Sequence, residues 1–181
     1  MKTIKLLFAM VLIFCTFSGV AQTDNLKKFE QNGKYGFKDQ NGKIVIQPIY
    51  DNALNFSEGL AAVELNDEWG YIDENNKIII PIKYYYAYIF SEGLAHVMLN
   101  GKWGFIDKTG KEIIPLKYDG VAMFSEDLAR VKLNGKWGFV DKTGKEIIPL
   151  KYDDAEDFYE GFTSVQLGKE WFYIDNLHYS Y

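Results

Sequence analysis

The sequence predicts an all-β protein made of tandem copies of one 34-residue unit, and three observations carry that reading. Residues 102–118, KWGFIDKTGKEIIPLKY, return almost unchanged at 136–152 as KWGFVDKTGKEIIPLKY. One aromatic position recurs as Tyr35, Trp69, Trp103, Trp137 and Trp171, always 34 residues apart. Short apolar runs are separated by Asn-Gly and Thr-Gly pairs, which mark tight hairpins. A 34-residue period also belongs to helical tetratricopeptide arrays. Here, though, Asn134-Gly135 and Thr143-Gly144 stand nine residues apart, which leaves no room for a helix of three turns.

The chain opens on a sorting signal. Lys2 and Lys5 precede an apolar run from Leu6 to Phe17, and Ser18-Gly19-Val20-Ala21 supplies the small residues of a cleavage site. The run is short for a bilayer span. Residues 1–21 are therefore expected to be a cleaved signal peptide and residues 22–181 the mature β domain. A lipid anchor on Cys15 is disfavoured, because Phe14 occupies a place where such signals use a small residue. Loss of the leader removes the one cysteine, and with it disulfide and thiolate chemistry. Loss of Lys2 and Lys5 moves the net charge from −5 to −7, a sign that disfavours nucleic acid or an anionic membrane as partner.

The first meander begins at residue 26 and runs to 46. Three more follow at 60–82, 94–116 and 128–150, and a fifth begins at 162 but stops at Tyr181 with NLHYSY in place of a third strand. The two-residue turns at Asn32-Gly33, Asn66-Asp67, Asn100-Gly101, Asn134-Gly135 and Gly168-Lys169 suit positive φ. They set the register: Leu133 faces Lys136, Lys132 faces Trp137, Val131 faces Gly138 and Arg130 faces Phe139. One face then carries Ala129, Val131, Leu133, Gly138 and Val140, and the other carries Arg130, Lys132, Trp137 and Phe139. Asp141 to Lys145 reads as a type I turn with Gly144 left-handed. It is expected to place Ile147 beside Phe139 and Ile148 beside Gly138, with Pro81, Pro115 and Pro149 ending the third strand. Both faces of such a meander are apolar, so neighbouring repeats must cover them.

Gly36, Gly70, Gly104 and Gly138 sit in mid-strand, where Gly marks close approach of another group. The expected neighbour is the following repeat, with Phe172 filling the same place in a terminal cap. In the connectors Tyr50, Tyr84, Tyr118 and Tyr152 stand three residues before Ala53, Ala87, Val121 and Ala155, and six before Phe56, Phe90, Phe124 and Phe158. That spacing predicts one tight helical turn.

The recurring KWGFIDKTGKEIIP, followed by the Tyr-Asp connector and FSEGLA, resembles the bacterial WG-repeat family, also called KWG repeats. The resemblance covers residues 26–175, with departures at Tyr35, at Asp127 in place of Gly, and at Phe172. It implies a β-rich repeat scaffold, often exported or surface-associated, with no defined catalytic residues.

The side chains themselves offer little chemistry. Asp39, Asp73, Asp107, Asp141 and Asp175 recur on turns, but one carboxylate per turn falls far short of a calcium site; such an Asp bonds its own turn amides. Glu58, Glu92, Glu126 and Glu160 read as solvated. The glycine spacing at Gly104 to Lys111 misses that of a phosphate loop, and Glu112 stands where Ser or Thr would bind magnesium. His96 and His178 lie in different units, so neither a zinc site nor a triad with Ser57, Ser91 or Ser125 is expected. No cofactor or metal is expected. His96, at a varying position, is expected on the surface. The Asn55-Phe56-Ser57 sequon reads as idle in a bacterial-looking exported chain.

The architecture expected is an open, solenoid-like stack of three-stranded antiparallel meanders, with a small β-propeller as the alternative. In repeat arrays constant residues pack and varying ones face solvent or a partner. The varying positions are Ala62 and Glu64, His96 and Met98, Arg130 and Lys132, and Ser164 and Gln166. They flank Trp69, Trp103, Trp137 and Trp171. The function expected is a non-catalytic scaffold binding a protein or ligand at the cell envelope or outside the cell. The alternative is carbohydrate or cell-wall binding through exposed Trp faces.

Overall fold

The structure, a computed structural model, describes residues 25–175; the expected signal peptide, Cys15, His178 and the NLHYSY end lie outside the described residues. Eighteen strands and no helix make up the described chain, arranged as five antiparallel sheets in sequence order. Sheet 1 holds β1 (Lys27–Gln31), β2 (Lys34–Lys38) and β3 (Ile44–Tyr50). Sheet 2 holds β4 (Asn52–Ala53), β5 (Ala61–Leu65), β6 (Glu68–Ile72) and β7 (Ile78–Tyr84). Sheet 3 repeats this with β8 (Tyr86–Ala87), β9 (Leu94–Leu99), β10 (Lys102–Asp107) and β11 (Glu112–Tyr118). Sheet 4 does so with β12 (Gly120–Val121), β13 (Leu128–Leu133), β14 (Lys136–Asp141) and β15 (Glu146–Tyr152). Sheet 5 contains β16 (Asp154–Ala155), β17 (Phe162–Leu167) and β18 (Glu170–Asp175).

The first hairpin of each unit has the expected register, from Leu133↔Lys136 to Arg130↔Phe139 in sheet 4. The turn residues enforce it, with φ of 52° at Asn134 and 78° at Gly135, and similar values at the other Asn-Gly turns. The connector differs from expectation. Its Tyr–Ala–Phe spacing does not make a helical turn; Asn52–Ala53 and its counterparts form a two-residue strand against Glu64 and Val63. The middle sheets are therefore four-stranded rather than three-stranded.

The second hairpin also differs. Phe139 pairs with Ile148 and Trp137 with Tyr152, so β15 carries two more residues than β14 between these pairs. Pro149 lies inside that bulge, where its missing N–H interrupts no regular ladder; it does not end the strand. The bulge folds the third strand over Gly138. A Cβ there would stand 2.6 Å from the Ile148 carbonyl oxygen and 2.8 Å from Leu150 N. The glycine thus makes room for its own sheet, not for the next repeat. Phe172 fills no gap either, since its ring is exposed.

The sheets stack face to face, and the same positions build every junction. Phe37, Ile46 and Tyr50 of sheet 1 meet Ala53, Phe56, Ala61, Val63 and Ile72 of sheet 2. Tyr71, Ile80 and Tyr84 meet Ala87, Phe90, Ala95, Val97 and Ile106. Phe105, Ile114 and Tyr118 meet Ala129, Val131 and Val140. Phe139, Ile148 and Tyr152 meet Ala155, Phe158 and Val165. At each junction the earlier sheet brings two rings and an Ile, and the later one brings Ala and Val with a connector Phe whose ring meets the first sheet's ring at 4.8–5.0 Å. The end faces differ from this pattern. On sheet 1, Lys27 and Lys38 stand where sheets 2 to 4 have Ala and Ile or Val, and Lys38 Nζ lies 5.7 Å from the Phe29 ring centre. On sheet 5, Trp171 is 49% and Tyr173 82% exposed. Neither face is covered among the described residues, which gives a stack with two ends.

Candidate functional site

The repeated polar residues are occupied in holding the stack. Ser57 Oγ donates to the Phe90 carbonyl oxygen at 2.7 Å, and Ser125 Oγ to that of Phe158 at 2.7 Å. Glu58 and Glu126 accept the amide N–H of Gly93 and Gly161 one unit on; Glu58 is half-buried, whereas Glu92, Glu126 and Glu160 are exposed, as expected of solvated charges. Burial pushes the Glu58 carboxyl up, and Lys108 at 2.9 Å together with the Gly93 amide more than offsets it. Asp39, Asp73, Asp107 and Asp141 each accept two amides of their own turn, for example those of Thr143 at 2.9 Å and Lys145 at 3.0 Å. Among the described residues no three His, Cys, Asp or Glu side chains gather as a metal site.

The varying positions lie in two cross-strand rows on the Trp-bearing face of each sheet. The outer row runs Asn52–Glu64–Trp69 in sheet 2, Tyr86–Met98–Trp103 in sheet 3, Gly120–Lys132–Trp137 in sheet 4 and Asp154–Gln166–Trp171 in sheet 5. The inner row pairs Ala62 with Tyr71, His96 with Phe105, Arg130 with Phe139 and Ser164 with Tyr173. The Trp and varying residues of one unit are therefore brought together.

The four tryptophans are not equivalent. Trp69 is buried, Trp103 and Trp137 are half-buried, and Trp171 is exposed. In sheet 4 the Arg130 guanidinium lies 5.2 Å and Lys132 Nζ 5.4 Å from the Trp137 ring centre, distances at which a cation is drawn to the ring face. Arg130 also donates to the Ala155 carbonyl and pairs with Asp157 at 2.8 Å, which ties it to sheet 5. Glu64, Met98, Ser164 and Gln166 are half-buried, and Ala62 is buried.

His96 is not on the surface. It is 7% exposed, and its ring stacks on Tyr88 at 4.2 Å, with Trp103 at 5.7 Å and Phe105 at 5.9 Å. Burial holds its pKa down at about 4, so the imidazole is neutral and serves as an aromatic filler. It belongs to a group of rings that the repeat pattern did not single out: Tyr85, Tyr86 and Tyr88, all exposed. Tyr86 lies parallel to Trp103, their ring centres 5.9 Å apart at an interplanar angle of 8°. The signal was present as KYYYAYIF at 83–90, where the other connectors carry Asp and mixed residues.

The chain matches the family described as "WG containing repeat" four times, over residues 35–69, 69–103, 103–137 and 137–171. The chain belongs to the WG-repeat family. No curated protein matches it in sequence. Among solved structures the WG-repeat chain is similar to "Kluyveromyces lactis Hsv2 complete loop 6CD", at 9% identity over 78% of this chain and 52% of that one, with a TM-score of 0.49. It spans about half the length of that structure. Membership suggests a repeat binding module. Among the described residues of this WG-repeat protein, no helix is long and apolar enough to cross a membrane.

Proposed function

We propose that this WG-repeat protein is a non-catalytic scaffold, exported to the cell envelope or beyond it, that binds a protein partner through those of its varying side chains that reach the surface. The observation that supports it most is the division of labour within each unit. Ser57, Glu58, the turn aspartates and the mid-strand glycines are all occupied in internal bonds or close contacts. What differs from unit to unit gathers around the Trp rows and the connectors, where exposed aromatics such as Tyr85 and Tyr86 are found. Large exposed rings on a soluble surface are characteristic of contact sites.

A second reading, glycan binding on Trp faces, has support at one place. Trp171 and Tyr173 are exposed side by side on the same face of sheet 5, a geometry on which a sugar ring can stack. Buried Trp69 offers no platform. The two readings separate when immobilised mature chain is challenged with a detergent extract of the envelope and, separately, with soluble cell-wall glycans. Saturable retention of a defined protein that glycans do not displace supports the first. Retention of glycans alone, lost on Trp171→Ala, overturns it in favour of the second.

A further inference from the structure

The junction between sheets 2 and 3 departs from the other three in a coordinated way. Elsewhere a connector Asp pairs with the Lys that opens the second strand of the preceding sheet: Asp51 with Lys34, Asp119 with Lys102 at 2.6 Å, and Asp153 with Lys136. The same Asp accepts the turn amide of Asn66, Asn134 or Gly168. At the second junction the Lys is Glu68 and the Asp is Tyr85, and Asp67 stands where the neighbouring turns have glycine. Both partners of the ion pair have changed together. An exposed pair of this kind contributes about 0–1 kcal/mol, so the scaffold loses little by the change. What changes is the surface.

Tyr85 is 60% and Tyr86 44% exposed, and their rings meet edge to face at 4.8 Å. With Glu64 and Asp67 they line a cleft of about 280 Å³. Two carboxylates and two phenol rings thus converge with no basic residue in the lining, and Trp103 supports the Tyr86 ring from behind. Ring faces carry the negative lobe of the aromatic quadrupole, and the carboxylates add to the same sign. A cation gains from both at once, an anion is repelled by both, and the acidic chain draws basic partners towards it.

We propose that the Tyr85–Tyr86 cleft takes an Arg or Lys side chain presented by a basic segment of a partner protein. The proposal rests on the binding-scaffold reading and names the chemistry of the partner at one place on it. The test is an NMR titration of the mature chain with the blocked peptide Gly-Arg-Gly-Arg-Gly, its Glu counterpart, and a soluble hexamer of N-acetylglucosamine.

The Arg peptide is expected to shift the Tyr85 and Tyr86 ring resonances saturably, with affinity falling as salt rises. The double variant Glu68→Lys, Tyr85→Asp rebuilds the ion pair of the other junctions and is expected to weaken binding by about fivefold or more. Glu64→Gln with Asp67→Asn removes charge while keeping shape, is expected to weaken binding as well, and supplies the test where the first variant misfolds. Equal binding of the Glu peptide, the same rings shifting with the glycan instead, or wild-type affinity in either folded variant overturns the proposal. Envelope proteins retained equally by wild type and by Glu68→Lys, Tyr85→Asp also overturn the cleft but leave the scaffold reading standing. Retention of nothing by the wild type, together with no peptide binding, removes both.

Discussion

Ser57 and Phe90 stand 33 residues apart and are joined by one hydrogen bond of 2.7 Å, from the serine Oγ to the phenylalanine carbonyl oxygen; Ser125 and Phe158 repeat it two units later. A contact one residue short of the period ties sheet 2 to sheet 3 and sheet 4 to sheet 5 rather than either sheet to itself. In a stack where each unit touches only its neighbours, such bonds set how tightly adjacent units unfold together. Ser125→Ala leaves the Phe158 carbonyl without this donor in a largely buried setting, at a cost of about 1–2 kcal/mol. Urea unfolding measures the loss. Hydrogen exchange on β16 and β17 is expected to accelerate more than on β5 and β6. A uniform acceleration along the chain counts against the staple.

Two glycines make opposite predictions. At Gly104 an added Cβ meets the Ile114 carbonyl oxygen at 2.5 Å and Leu116 N at 2.8 Å, both backbone atoms of the bulged third strand. Gly104→Ala therefore has to displace a strand, costing about 1–3 kcal/mol or more. At Gly120 the nearest atoms are Trp137 Cη2 at 3.5 Å and Lys132 Cβ at 3.7 Å, ordinary contacts, and φ is not positive. Gly120→Ala is expected to be neutral or to stabilise by about 0.5 kcal/mol through the unfolded chain. Thermal melts of the two variants side by side decide the matter. Equal effects exclude the bulge as the reason for the mid-strand glycine.

His96 gives the protein an acid sensitivity that its carboxylates do not. Its native pKa lies at about 4 against an ordinary 6.5, because burial disfavours the charged ring. Between those values the unfolded chain binds a proton that the native state refuses, so stability falls as pH drops from 6.5 towards 4 and is fully kept above 6.5. The whole effect is on the order of 3 kcal/mol. Asp119, which Lys102 holds below the usual carboxylate range, acts only at lower pH. His96→Ala, the residue found at position 62, is expected to flatten the melting temperature between pH 7.5 and 5. An unchanged pH slope in that variant would assign the sensitivity elsewhere.

Much of this fold was legible because one kind of residue fixes each legible feature. Asn134-Gly135 admits a two-residue turn of one hand, and that alone sets six cross-strand pairs from Leu133 to Leu128. The second hairpin was not legible: Pro149 sits in a bulge of two extra residues, and side-chain alternation cannot show how many residues a strand gains between pairs. The two-residue strands such as Asn52–Ala53 are too short to display a period of two. His96 was placed by its variability, although its row neighbours Tyr88 and Phe105 decide its burial. The Tyr85 cluster was not legible because a repeat pattern displays what recurs, and that cleft exists where the recurrence stops.

The four tryptophans supply a test of the stacking order itself. Each Trp face except the last is covered by the small-residue face of the following sheet, so Trp69 is 7% exposed and Trp171 49%. Acrylamide quenching of the mature chain is therefore expected to resolve a protected, blue-shifted population and an accessible, red-shifted one. Trp171→Phe is expected to remove mainly the accessible component and Trp69→Phe mainly the protected one. Trp171→Phe is also the milder change, since its ring is half in water, whereas Trp69→Phe leaves a void at the junction with Ala87 and Val97 and costs on the order of 1–3 kcal/mol. A chain whose sheets closed on one another would bury Trp171 like the rest. Quenching that Trp171→Phe leaves unaltered is the result that would contradict a stack with a free end.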